Sequence, residues 1–226
     1  MRLSLSGVHS LMAGYADTTG FLALNGLFTS HVTGNFVTLG SALVLGSSGT
    51  LAKILALPTF CLAVILIRLI SLRLRAAGRQ VLRSVLTLQF ALLVVAAVVA
   101  AWAGPFDNSD TGAALSLGMI LVTAMALQNA AHRVHLSHTP PSTVMTVTTT
   151  QIMLDLGEML HGLPPEKATT IRTRLKAMTA SVALFAAGCG LAALLFAEIN
   201  KWCFCVLPLL GAYALMMRSE IVDTRA

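Results

Sequence analysis

Between Gly14 and Gly40 the chain sets Asp17, Asn25, His31, Thr33, Gly34 and Asn35 in an otherwise oily run, GYADTTGFLALNGLFTSHVTGNFVTLG. In hydrocarbon an unsatisfied polar atom costs several kcal/mol, so these groups must face a partner helix, a cavity or a solute. Asp17 can carry a proton or a cation, or it can serve as a structural hub for threonine and backbone donors. Thr33-Gly34-Asn35 has a helix-initiating composition. Such a start would aim free N–H groups and the positive end of a helix dipole at an anion or polar solute, or would simply cap a packed helix. His31 beside it suits a pH-sensitive role, with an interfacial loop histidine as the ordinary alternative. In the second half Gln128 and Asn129 offer neutral donors and acceptors, and Thr146, Thr148 and Gln151 could meet them. Hydrogen bonding between helices is the structural alternative there. His132, His135 and His138 recur at three-residue spacing, yet they adjoin a Pro-Pro loop with no cysteine or acid close by, so no metal is expected. No Walker loop, dinucleotide glycine pattern or nucleophile elbow is present, and no cofactor is expected.

The elements that would hold these residues read as membrane helices. Of 226 residues 56% are hydrophobic and 11% charged, and the mean hydropathy is +0.82, values that a soluble surface would not tolerate. The 15 Lys+Arg against 9 Asp+Glu lie in short stretches between apolar runs, which argues against nucleic acid as a partner. Cys61, Cys189, Cys203 and Cys205 sit inside apolar segments and read as packing residues. The N-terminus is broken early by Asp17 and reads as a retained first helix rather than a cleaved signal. In order, the expected segments are 8–28, a short 32–46, 51–72, 84–104, 113–131, a short Thr-rich 143–160, 177–197 and 199–217. Arg68, Arg73, Arg75, Arg79 and Arg83 form a basic loop, and Lys167, Arg172, Arg174 and Lys176 form another. Ala183, Ala187, Gly188, Gly190 and Ala192 would let the seventh segment pack closely on a neighbour.

Each half therefore reads polar span, short Thr-rich segment, span, span: an internal repeat of about a hundred residues by the spacing of these elements, with repeat 1 over about 1–104 and repeat 2 over about 113–217 of a single 1–226 membrane domain. Counting positive charges orients it. If neither short segment crosses, 13 basic residues share one side against Lys53 and Lys201 on the other, and the crowded side is cytoplasmic. If all eight segments cross, the bias vanishes. Letting 32–46 alone cross still leaves a strong bias, so a seven-span variant stands beside the six-span one. The expected fold class is all-α, a polytopic helical membrane protein with two repeats of three spans plus a short half-helix each. An odd number of spans per repeat makes the repeats inverted, an architecture that transporters use to build a midplane site.

GYADTTGFLALNGLFTSHVTGN resembles the opening signature of the YoaK family of small bacterial inner-membrane proteins. AMALQNAAHR at 124–133, followed by PSTVMTVTTTQIMLDLG at 141–157, is similar to that family's second-half pattern, so the resemblance covers nearly the whole chain. Where the family's second motif usually reads Met-Thr-Gly-Asn-Thr-Thr-Gln, this chain has Met145-Thr146-Val147-Thr148-Thr149-Thr150-Gln151, and the missing Gly-Asn breaks strict two-fold symmetry of a site. The resemblance implies a multi-pass protein of the bacterial inner membrane and no defined activity. The leading expectation is a secondary transporter or facilitator of a small polar or ionic solute. The alternatives are an intramembrane enzyme, which requires Asp17 within hydrogen-bond reach of a histidine, and a non-transporting sensor or partner subunit. Expected partners are the lipid bilayer, a small solute or ion, and in a homo-oligomer further copies of the chain.

Overall fold

A computed structural model describes residues 3–162 and 164–223, and among these it contains helices and no strand. The α-helices are α1 (Leu5–Ala23), α2 (Gly34–Leu45), α3 (Thr50–Ala76), α4 (Val81–Ala103), α5 (Gly112–His135), α6 (Met145–His161), α7 (Pro165–Ile199) and α8 (Val206–Asp223), with a 3-10 turn at Asn200–Cys205 before α8. Four helical segments among the described residues are long and apolar enough to cross a membrane: α3, α4, α5 and the near-continuous run Glu166–Met217. The outward faces are oily, with Val44, Trp102 and Leu160 more than four-fifths exposed. These are the properties of a membrane protein.

The first polar helix is sheltered, as its composition demands. Fourteen of the nineteen residues of α1 are buried. Its closest neighbour is α7, and the approach is close because glycines face backbone: a Cβ on Gly14 would lie 2.1 Å from the Phe185 carbonyl oxygen, and one on Gly188 2.1 Å from that of Leu11. Of the small residues expected to pack α7, Gly188 does so, whereas a Cβ on Gly190 would meet nothing within 4 Å. The α1–α7 pairing has a counterpart in α3 against α5, and α4 packs on both α5 and α8. The short helices each lie on the long helix that follows them, α2 on α3 and α6 on α7.

Loops tie one end of the bundle together. Asn25 accepts from the Ser109 N–H at 2.9 Å, and Asp110 accepts from the Gly49 and Ala52 N–H groups, both at 3.1 Å, at the start of α3. Lys201 Nζ donates to the Gly104 carbonyl at 2.7 Å. Trp102 and Trp202, both exposed, flank this last contact, as aromatic side chains do at a membrane interface. Residues 24–33 turn back along α1, and α2 returns the chain to that same end, where a Cβ on Gly49 would lie 3.2 Å from the Asn25 Cβ. At the opposite end residues 136–144 turn back along α5, and α6 then runs out beside α7.

Several boundaries differ from the sequence expectation. The first helix stops at Ala23 rather than 28, where Asn25 and Gly26 take positive φ. Arg68, Arg73 and Arg75 belong to α3, which continues to Ala76 before Gly78 (φ 66°) turns the chain, and Arg83 belongs to α4, so of that basic stretch only Arg79 lies in the loop. The second basic cluster is likewise helical, because α7 begins at Pro165 rather than 177. Arginine and lysine are good helix formers, and proline is suited to the first helical position, so charge marked where hydrocarbon ends rather than where helix ends.

Candidate functional site

Asp17 lies six residues, about 9 Å of helix rise, before the end of α1. There it collects the returning loop. Its Oδ1 accepts from the Thr29 and Ser30 N–H groups at 2.8 and 2.6 Å and, more weakly, from the Thr29 hydroxyl and the His31 N–H. Its Oδ2 accepts from the Ser30 hydroxyl at 2.7 Å and pairs with His31 Nδ1. A carboxylate so supplied with donors needs no water. Asn35, buried in the first turn of α2, closes the other side of the loop: its Oδ1 accepts from the Phe28 N–H and its Nδ2 donates to the Phe28 carbonyl, both at 2.8 Å. Thr33 is the residue before α2, but its side chain is exposed and makes no cap hydrogen bond, so Asn35 does the holding that the Thr-Gly-Asn signature suggested for the cap. Gly34 matters for space, since a Cβ there would lie 3.0 Å from the Phe28 ring.

His31 joins this first assembly to the second. Its ring stands edge-on to Phe185 of α7 with centroids 5.4 Å apart, and the backbone of Thr143 lies near it. The Thr143 hydroxyl in turn donates to Asn129 Oδ1 at 2.6 Å. The residue before Asn129 in α5, Gln128, is fully buried: its Nε2 donates to the His9 carbonyl at 2.9 Å and to the Ser142 hydroxyl at 3.3 Å, while its Oε1 accepts from Gln89 Nε2 at 3.1 Å. A cavity of about 190 Å³ opens beside these groups, lined by Asn129, His132, Ser142 and Thr143 among others. Near it, both ring nitrogens of His9 and the Nδ1 of His132 are buried without a hydrogen-bond partner among the described residues.

The remaining expected residues lie elsewhere. Asn25 is exposed and bonds Ser109 at the bundle end, away from Asp17. Thr146 is exposed, the Thr148 hydroxyl donates to the Val144 carbonyl, and Gln151 donates to Asp155, so none of the three meets Gln128 or Asn129. The residues that do meet them are Ser142 and Thr143, just upstream in the same motif. They stand three and two residues before α6, in a turn, and a hydroxyl in a turn can reach back along the preceding helix. Thr29, Ser30 and Gln89 were also missed. Gln89 is the one strongly polar residue in the middle of the otherwise apolar 84–104 run, which is a signal in itself.

No curated protein and no solved structure shows significant similarity to this chain. A family model described as a protein of unknown function, DUF1275, matches residues 5–217, nearly the full length and both polar motifs, and is consistent with the YoaK-like resemblance. The chain belongs to that family.

Proposed function

We propose that the protein is a multi-pass transporter or facilitator for a small polar or ionic solute in the bacterial inner membrane. The observation that carries this reading is that two non-helical stretches fold back into the bundle from its two ends, 24–33 onto Asp17 of α1 and 136–144 onto Gln128 and Asn129 of α5, with His31 of the first near the Thr143 backbone of the second. Backbone that leaves the helix at membrane depth is tolerated only where protein shelters it or a polar cavity opens, and opposed broken segments are how inverted-repeat transporters form a midplane site. In this reading α1, α3, α4, α5, α7 and α8 cross, and α2 and α6 are re-entrant. Exchanging the two repeats maps α1–α7 onto α5–α3 and α2–α3 onto α6–α7, and each of those pairs is in contact, which supports the inverted repeat. The same arrangement leaves Lys53 and Lys201 at one end and gathers the arginine-rich stretches at the other, cytoplasmic, end.

Solute would be read by His31, Thr143, Asn129 and the cavity beside them, with Asp17 and Asn35 holding the first loop in place. Reconstituted into liposomes, the wild-type protein should conduct one member of a panel of small polar and ionic solutes, and Asp17→Asn and Asn35→Ala should reduce that flux severalfold. Absence of solute-dependent flux or binding across the panel refutes the proposal. One observation favours a second reading, an intramembrane enzyme: Asp17 and His31 are directly hydrogen bonded, the contact an acid–base pair requires. Turnover of a membrane-soluble substrate that is lost in His31→Gln, with no flux in wild type, would select it instead.

A further inference from the structure

A second cleft, of about 670 Å³, lies between residues 137–141 and the first turns of α7. Its volume is that of a ligand pocket. The α7 wall is a single stripe with a gradient of polarity: Thr169, Thr170, Thr173 and Arg174 come first, then Ala177 and Met178. The stripe is about 13 Å long at helical rise, and it runs from the basic turns into the apolar span. The opposite wall is made by Ser137, His138, Thr139, Pro140 and Pro141.

From Glu166 to Lys176 the helix carries Lys167, Arg172, Arg174 and Lys176 against one acid, Glu166, and of these cations Arg174 lines the cleft. Arg174 is fixed rather than free to swing: its Nε and Nη2 donate to Asp155 at 2.9 and 2.6 Å, and Asp155 is fully buried while the arginine side chain stays 44% exposed. Two of its five N–H donors are used on Asp155, which leaves three for another acceptor in a side chain that is 44% exposed. A guanidinium held in that way is pre-oriented for a phosphate oxygen. Threonine hydroxyls and one fixed guanidinium towards one end, with aliphatic surface at the other, match a molecule with an anionic head and an acyl tail. A soluble anion would leave the Ala177–Met178 end unused.

We infer that this cleft binds an anionic phospholipid, its phosphate at Arg174 and the threonine hydroxyls and its acyl chain along Ala177 and Met178. Basic pockets between helices at the cytoplasmic face are recognised sites for such headgroups. The inference rests on the membrane reading and not on transport. Native mass spectrometry of the full chain, delipidated in mild detergent and titrated with phosphatidylglycerol or phosphatidylcholine of matched chains, tests it. Phosphatidylglycerol should be retained at least tenfold better. Thr170→Glu, which adds a negative charge at an exposed position of the polar end, and Ala177→Trp, which fills the apolar end, should each remove that preference with no change in melting temperature. Inorganic phosphate at millimolar concentration should not displace the lipid. Equal retention of the two lipids, retention unaffected by both variants, or full displacement by phosphate overturns the inference, and none of these outcomes bears on solute flux.

Discussion

Substituting Gly188 by alanine replaces a hydrogen by a methyl group where α7 meets α1, and the geometry sets how much that should cost. The new Cβ would sit 2.1 Å from the Leu11 carbonyl oxygen and 3.0 Å from both the Leu11 carbonyl carbon and the Tyr15 nitrogen. These are backbone atoms of a buried helix, so no side chain can swing aside. Restoring an ordinary carbon–oxygen contact requires the helices to separate by roughly 1 Å, and a gap of that size forfeits up to about half of each dispersion well along the seam. Overpacking of this kind costs typically about 1–3 kcal/mol, and a rigid backbone contact belongs at the upper end. For a chain of this length that corresponds to a melting temperature lower by roughly 5–10 °C. Gly190→Ala, two residues on and open to at least 4 Å, is the matched control and should be neutral or slightly stabilising through helix propensity. Thermal unfolding in detergent, followed by the loss of the monodisperse size-exclusion peak, measures both. If Gly188→Ala melts with wild type, or Gly190→Ala falls equally, the α1–α7 seam is not packed as described.

Asn35→Ala removes both bonds to Phe28 and leaves its part-buried N–H and carbonyl without those partners, so it should destabilise by about 1–3 kcal/mol, and Asp17→Ala, which strands the Thr29 and Ser30 donors, by more; thermal melts rank the two. The Asp155 carboxyl is held below its ordinary value by the Arg174 guanidinium and secondarily by Gln151. A lowered folded value means that the pairing stabilises fully above the ordinary carboxylate range and is lost as pH falls through the lower one, so unfolding followed from pH 7 to pH 3 should show an acid-side decline that is shallower in Arg174→Gln. Cysteines placed at Gly78 and Thr170 should react with an impermeant reagent from the same, cytoplasmic, side. Labelling of one in intact cells and of the other only after lysis would refute the six-span arrangement.

What the sequence by itself determined is what depends on composition and one-dimensional order. Apolar runs of helical length require helices, and Asp17, Thr18 and Thr19 in the middle of the first require that it be buried, which α1 is. The asymmetry of positive charge was countable from the chain, and Asp17, His31 and Asn35 stood out because polar atoms are costly among apolar neighbours. Helix ends were less legible, because Arg73, Arg75 and the 167–176 cluster satisfy helix propensity while violating hydropathy. Only the tertiary structure decided which polar groups meet. Thr146, Thr148 and Gln151 looked like the partners of Gln128 because they repeat at helical spacing, but a helix directs each side chain by its face, and theirs turn to the helix itself, to Asp155 or outward. Ser142 and Thr143 took that place because the loop before α6 folds back along α5, a path fixed by contacts many residues apart. The closeness of α1 to α7 was equally invisible: Gly14 and Gly188 are two glycines among 17, and only their juxtaposition across the seam distinguishes them from Gly190.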